Sequence, residues 1–207
     1  MASIYDIKPA FQRVLRPLME RLAQAGITPN QLTLSALGLS VLWGVLLVLN
    51  VYAEGMHWVL WGMPLVLLLR MALNALDGML ARSKNMSTPL GEVLNELGDV
   101  LADIALYLPL MFYVLPSWGA YAVIGFVILT VVSEFCGLLA KSIMGERRYD
   151  GPMGKSDRAF AVSLYCLLLF FQVKFIISFS GIWFVIMDLL LIISCINRIR
   201  PCIRKTS

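Results

Sequence analysis

Residues 74–103 read NALDGMLARSKNMSTPLGEVLNELGDVLAD. Five of the chain's 13 acids, Asp77, Glu92, Glu96, Asp99 and Asp103, crowd into this stretch, and long apolar runs surround it. An ionisable residue within a membrane segment is costly, so it is a functional candidate by default. The rest of the chain reads as a means of holding this stretch at one depth in a bilayer.

Composition agrees with that reading. Of 207 residues, 59% are hydrophobic and only 14% are charged, whereas a soluble domain carries about 25% charge. The expected class is therefore an all-α integral membrane protein, folded as one domain over 1–207. Cys136, Cys166, Cys195 and Cys202 are scattered in apolar sequence without a CxxC or a histidine partner, so neither a zinc site nor a disulfide framework is signalled. The single histidine, His57, sits beside Trp58 in a short loop and is not expected to act in catalysis. Nothing points to nucleic acid.

Outward from the acidic stretch, the periodicity defines the remaining elements. In residues 1–26, Ile4, Ile7, Phe11, Leu15, Leu18 and Leu22 recur at helical spacing, with Lys8, Arg13, Arg16, Glu20 and Arg21 between them. This pattern predicts a basic amphipathic helix lying in the headgroup region, not a cleaved signal peptide. Thr28-Pro29 is a helix start. The run 31–51 is long enough to span a bilayer core, and further spans are expected at about 58–80, 90–115, 120–143, 159–173 and 176–196. Six spans thus occupy 27–198, and a basic tail closes the chain at 199–207. Of the 17 Lys and Arg residues, Lys174 falls on the side opposite the N-terminus and Arg70 falls inside a span; the other 15 share the N-terminal side. The positive-inside rule predicts both termini in the cytoplasm.

On a helix, Asn74, Asp77, Gly78 and Ala81 share one face, bordered by Arg82; on the next, Gly91, Asn95, Asp99 and Asp103 share another. The Ser87-Thr88-Pro89 loop lets the two run antiparallel, so the polar faces meet near the cytoplasmic end. Two carboxylates with amide oxygens beside them suit a hard divalent cation such as Mg²⁺, which binds through one or two carboxylates plus phosphates. Arg147, Arg148, Lys155, Arg158, Arg198 and Arg200 form a cytoplasmic rim. They serve either as phosphate ligands or as topology determinants. Arg70 and Asp103 lie one turn deeper and are expected to form a buried ion pair, unless Glu134 takes that place. A metal centre between phosphate pockets at a membrane surface predicts phosphoryl transfer on a lipid.

Asp77-Gly78-x-x-Ala81-Arg82, then Gly91-x-x-x-Asn95-x-x-x-Asp99, resembles the signature of the class I CDP-alcohol phosphotransferases, D-x-x-D-G-x-x-A-R followed after a short spacer by G-x-x-x-D-x-x-x-D. Ile27-Thr28-Pro29-Asn30-x-Leu32-Thr33 is similar to the segment before that family's first span. The resemblance implies a bacterial inner-membrane homodimer. Such an enzyme transfers a phosphatidyl group from CDP-diacylglycerol to a small alcohol or phospho-alcohol and releases CMP. It also implies one or two Mg²⁺ or Mn²⁺ ions, the family typically binding two. By motif position, Asp77 and Asp99 are metal ligands, with Asn74 and Asn95 offering amide oxygens. Asp77, Gly78, Ala81, Arg82 and Gly91 form the nucleotide site, and Asp99 is the general base.

The chain departs from the signature at Asn74 and Asn95, each standing where the family has Asp. Three explanations are open. The site binds one metal, or a second only with substrate; Glu92, Glu96 or Asp103 substitutes; or the member is inactive and binds CDP-lipid without turnover. A further alternative is an ion or proton transporter using Arg70, Asp99, Asp103 and Glu134, although the outer halves of the spans are nearly free of charge.

Overall fold

A computed structural model describes residues 8–53 and 58–205; Ile4, Ile7 and His57 lie outside the described residues. The described chain is helical throughout: α1 (Lys8–Gln24), α2 (Pro29–Tyr52), α3 (Trp58–Ser83), α4 (Pro89–Tyr107), a 3₁₀ helix (Leu108–Tyr113), α5 (Gly119–Met144), α6 (Lys155–Phe170) and α7 (Lys174–Lys205).

Two helix starts follow directly from local sequence. Thr28 caps α2: the Gln31 amide donates to Thr28 Oγ1 at 3.4 Å, and the Thr28 amide donates to Gln31 Oε1 at 2.9 Å. Thr88 caps α4 in the same way, accepting from the Gly91 amide at 3.0 Å. In both cases proline follows the cap, where its missing N–H is of no consequence.

Four helices are long and apolar enough to cross a membrane, namely Pro29–Tyr52, Trp58–Ser83, Gly119–Met144 and Lys174–Arg204. The other two predicted spans correspond to α4 with its 3₁₀ extension and to α6. The predicted 90–115 helix changes type because Pro109 has no N–H to donate to the Ala105 carbonyl. That carbonyl faces Gly44 of α2, where a Cβ would lie 2.1 Å from its oxygen. The 16-residue α6 starts with Lys155, Asp157 and Arg158, which lower its hydropathy at the end facing the charged interior.

Helix α2 packs on α3 and α4, α3 on α6, and α5 on α7. Large apolar side chains face outward along these helices, among them Leu42, Val45, Leu65, Phe135, Ile186 and Leu189. The interior holds Arg70, Asp77, Asp99, Asp103, Glu134, Arg158 and Arg198, all buried. A molecule apolar outside and ionic within is built for lipid. Below the charged layer an aromatic core closes the bundle: Tyr107 packs on Phe126 at 5.4 Å, Phe126 on Phe184 at 5.6 Å, and Phe184 on Tyr165 at 5.0 Å between ring centres.

The amphipathic α1 docks on the bundle. Leu15 and Met19 are buried against Leu32 of α2 and Leu76 and Leu80 of α3, while Val14 and Leu18 stay exposed. The predicted basic tail is the helical continuation of α7 as far as Lys205. None of the four cysteines forms a disulfide among the described residues.

Candidate active site

The polar faces of α3 and α4 are joined through side chains, Asn74 with Asp99 and Asn95 with Asp77. Asn74, Asp77, Gly78, Ala81 and Arg82 from α3, and Gly91, Glu92, Asn95 and Glu96 from α4, line an open cavity of about 460 Å³. Gly91 permits a close approach, since a Cβ there would lie 3.0 Å from Asn30 Oδ1. At Gly78 a Cβ would sit 3.4 Å from the Arg82 guanidinium, so the glycine leaves that side chain free to reach into the cavity.

Other segments complete the wall: Gln12 of α1, Asn30 and Thr33 of α2, Lys141 of α5, and Arg147 and Tyr149 of the α5–α6 loop. Sequence reasoning gave no site role to Gln12, Asn30, Thr33, Lys141 or Tyr149. For Asn30 and Thr33 a signal existed in the Thr28–Thr33 segment; for the others none did, because their place depends on how α1 and the loop dock.

The two motif aspartates sit in different electrostatic surroundings. Asp77 meets only neutral donors: its Oδ2 accepts from Thr33 Oγ1 at 2.7 Å and from Asn95 Nδ2 at 3.2 Å. Its Oδ1 is buried and has no partner among the described residues. Asp99, behind Asn74, has both oxygens engaged, two of its three side-chain donors being cations. Its Oδ1 accepts from Asn74 Nδ2 at 2.5 Å and Arg70 Nη2 at 3.4 Å, and its Oδ2 from Lys155 Nζ at 2.5 Å.

From Asp99 an ionic network runs inward. Arg70 pairs with Asp103 at 2.5 Å, and Arg158 bridges Asp103 at 3.0 Å and Glu134 at 2.8 Å. Glu134 also meets Arg147 at 2.8 Å, Lys155 at 3.5 Å and Arg198 at 3.9 Å, and Arg147 pairs in turn with Glu96. Arg70 thus takes Asp103, and Glu134 becomes the hub for the later cations. Among the described residues the network joins four acids, Glu96, Asp99, Asp103 and Glu134, to five bases, Arg70, Arg147, Lys155, Arg158 and Arg198. It carries one excess positive charge.

The residues expected at a cytoplasmic rim therefore divide. Arg147 reaches the cavity, and Lys155 lies behind it, with about a third of its side chain exposed. Arg148 pairs with Asp150 at 2.7 Å. Arg158 is fully buried, and Arg198 is buried with its Nη1 donating to the Ser133 carbonyl at 2.5 Å. Glu92 pairs with Lys141 at 3.3 Å on the surface. The α5–α6 loop brings these groups together because two glycines seat it. At Gly137 a Cβ would approach the Arg148 carbonyl to 3.0 Å, and at Gly151, with φ +124°, it would lie 2.5 Å from Ser194.

The donor set fits one hard divalent cation. Asp77 Oδ1 is free, and the amides of Asn74 and Asn95 each use N–H on an aspartate, which leaves their carbonyl oxygens available. Among the described residues no three His, Cys, Asp or Glu side chains converge on one point.

The family model for CDP-alcohol phosphatidyltransferase matches residues 26–194. The chain belongs to this family. The match begins just before the α2 cap and reaches Ser194 of α7, so it includes both aspartates and every member of the network except Arg198. The Escherichia coli (strain K12) inner membrane protein YnbA is 48% identical over 198 residues, covering 96% of this chain and 95% of that one. A phosphatidylinositol phosphate synthase of Mycobacteroides abscessus is 28% identical over 127 residues, 61% of this chain and 54% of that protein. The fold is also that of Mycobacterium tuberculosis phosphatidylinositol phosphate synthase solved with CDP-DAG bound, with a TM-score of 0.67 and 20% identity over 92% of this chain and 94% of that one. The same enzyme in complex with manganese and citrate gives a TM-score of 0.66 at 20% identity, over 90% and 87%. The chain is thus an integral membrane protein of a transferase family of phospholipid biosynthesis.

Proposed function

We propose that the protein transfers a phosphatidyl group from CDP-diacylglycerol to a small alcohol or phospho-alcohol and releases CMP. The acceptor hydroxyl oxygen forms a bond to the lipid-side phosphorus. The bond from that phosphorus to the bridging oxygen breaks, CMP leaves with the electron pair, and the hydroxyl proton passes to Asp99 Oδ2, which must first release the Lys155 ammonium to the phosphate oxygens. The observation that carries this reading is the division of charge at one cavity: Asp77 lacks a cationic partner on the α3–α4 wall, while Lys155 and Arg147 stand at the edge of a network with excess positive charge. A diphosphate carrying a divalent cation satisfies both, the cation at Asp77 and the phosphate oxygens at Lys155 and Arg147.

In this reading Asp77, Gly78, Ala81, Arg82 and Gly91 hold the nucleotide end, and Arg147, Lys155 and Arg148 face the acceptor. Buried Arg158 and Arg198 hold Glu134 and the loop in place. A bound Mg²⁺ or Mn²⁺ neutralises diphosphate charge on the Asp77 side. Asn74 and Asn95 stand at motif aspartate positions, and Glu92, Glu96 and Asp103 are already paired with cations, which argues against their serving as substitute ligands. The aromatic layer beneath the network argues against a transport path.

The proposed topology has six spans, with α4 plus its 3₁₀ helix and α6 crossing alongside the four longer helices. Both termini and the cavity face the cytoplasm, as the charge distribution supports. The family resemblance supports a homodimer.

Purified protein with CDP-diacylglycerol, Mg²⁺ and a panel of alcohols and phospho-alcohols tests the activity. CMP release that is lost in Asp99→Asn is the expected result. Tight CDP-diacylglycerol binding without CMP release across the panel overturns it in favour of a non-catalytic lipid-binding role.

A further inference from the structure

We propose that this site takes a single divalent cation, on Asp77, and that the Lys155 ammonium stands at Asp99 where a second ion would otherwise be needed. The inference rests on the reading of the cavity given above and departs from the two-ion arrangement that the family resemblance implies.

The first observation is the unpartnered oxygen. Asp77 is buried, its Oδ2 takes two neutral donors, and its Oδ1 has no partner among the described residues. A buried carboxylate without a counter-charge is strongly disfavoured, and a cation at the cavity wall relieves it. The second observation is the opposite condition at Asp99. A carboxylate offers about four lone-pair sites. Those of Asp99 receive Asn74, Arg70 and Lys155, two of which are cations. A divalent ion there must displace the ammonium at 2.5 Å and then lie against the Arg70 guanidinium.

Asn74 explains how the exchange works. An aspartate at 74 would set a carboxylate 2.5 Å from Asp99 Oδ1, a contact stable only with a cation or proton between them. The amide instead donates its own N–H. Asn74 and Lys155 therefore act together: one removes a negative charge, and the other supplies the positive charge that remains necessary. Asn95 does the same on the other side, donating to Asp77 Oδ2 and leaving Oδ1 for the ion.

The experiment counts Mn²⁺ by electron paramagnetic resonance on the purified full chain, with Mn²⁺ alone and with Mn²⁺ plus CDP-diacylglycerol. Each variant is first checked for monodispersity and thermal unfolding. One Mn²⁺ per chain without metal–metal coupling is expected in both conditions. Asp77→Asn should weaken binding at least tenfold, and Asn74→Asp with Lys155→Met should gain a second, coupled ion. Two coupled ions in the unsubstituted protein, an ion retained in Asp77→Asn, or no bound Mn²⁺ at all would each overturn the proposal. CMP release is followed on the same samples. One ion without turnover removes the proposed activity and leaves this inference standing; turnover with two coupled ions does the reverse.

Discussion

Arg158 is fully buried and donates from one nitrogen, Nη2, to both Asp103 Oδ2 at 3.0 Å and Glu134 Oε1 at 2.8 Å. It ties α4 to α5 from the start of α6. Removing one member of a buried ion pair leaves the other uncompensated and costs about 3–5 kcal/mol. Glu134→Ala is therefore expected to lower the unfolding temperature in detergent markedly, by more than Glu134→Gln, which keeps hydrogen-bond acceptance. Equal melting of Glu134→Ala and the unsubstituted protein counts against the hub.

The exposed pair Lys141–Glu92 provides the contrast. Such pairs contribute about 0–1 kcal/mol, so Glu92→Gln should leave thermal unfolding within error. A drop comparable to that of Glu134→Ala would mean that burial does not rank these contacts.

Gly44 and Gly38 lie on the same helix and make opposite predictions. A Cβ at 44 meets the Ala105 carbonyl at 2.1 Å, whereas at 38 it meets nothing within 4 Å. Because the clash is with backbone, Gly44→Ala must separate α2 from α4; overpacking of this kind costs about 1–3 kcal/mol. Gly38→Ala should be neutral or slightly stabilising, as alanine favours helix. Thermal unfolding of the two variants side by side is the measurement.

Arg82 is exposed at the cavity wall and has no ion-pair partner within 4.0 Å among the described residues. Its truncation should not disturb the fold. A charged hydrogen bond contributes about 1.5–3 kcal/mol, so Arg82→Ala is expected to raise the KM for CDP-diacylglycerol by about tenfold or more. Steady-state CMP release across donor concentrations reads this directly, and an unchanged KM removes Arg82 from the nucleotide site.

Chelation should destabilise the protein through Asp77. A ligand bound only by the native state adds about 2.7 kcal/mol at 100 times its Kd. EDTA should lower the unfolding temperature and stop CMP release, with Mn²⁺ restoring both, and Asp77→Asn should make unfolding insensitive to EDTA. Full sensitivity in that variant would place the ion elsewhere.

Much of the molecule was legible in its sequence because the signals are local. Thr28-Pro29 and Thr88-Pro89 mark helix starts through contacts three residues long, and spacings of three and four place Asn74, Asp77, Gly78 and Ala81 opposite Gly91, Asn95 and Asp99. Low charge and long apolar runs determine the membrane class because lipid offers backbone groups no other partner than the helix itself. The break in α4 was also written there, in Pro109, but hydropathy alone passes over it.

Only the tertiary structure decided which charge meets which. Glu134 collects Arg147, Lys155, Arg158 and Arg198 from three later segments, and those partners depend on the α5–α6 loop seating at Gly137 and Gly151. Periodicity places a residue on a face but does not say what packs against that face. For that reason Arg158 and Arg198 read as rim cations in the sequence and lie buried in the fold. For the same reason the contrast between Asp77 and Asp99 became visible only when Lys155 was found beside one of them and not the other.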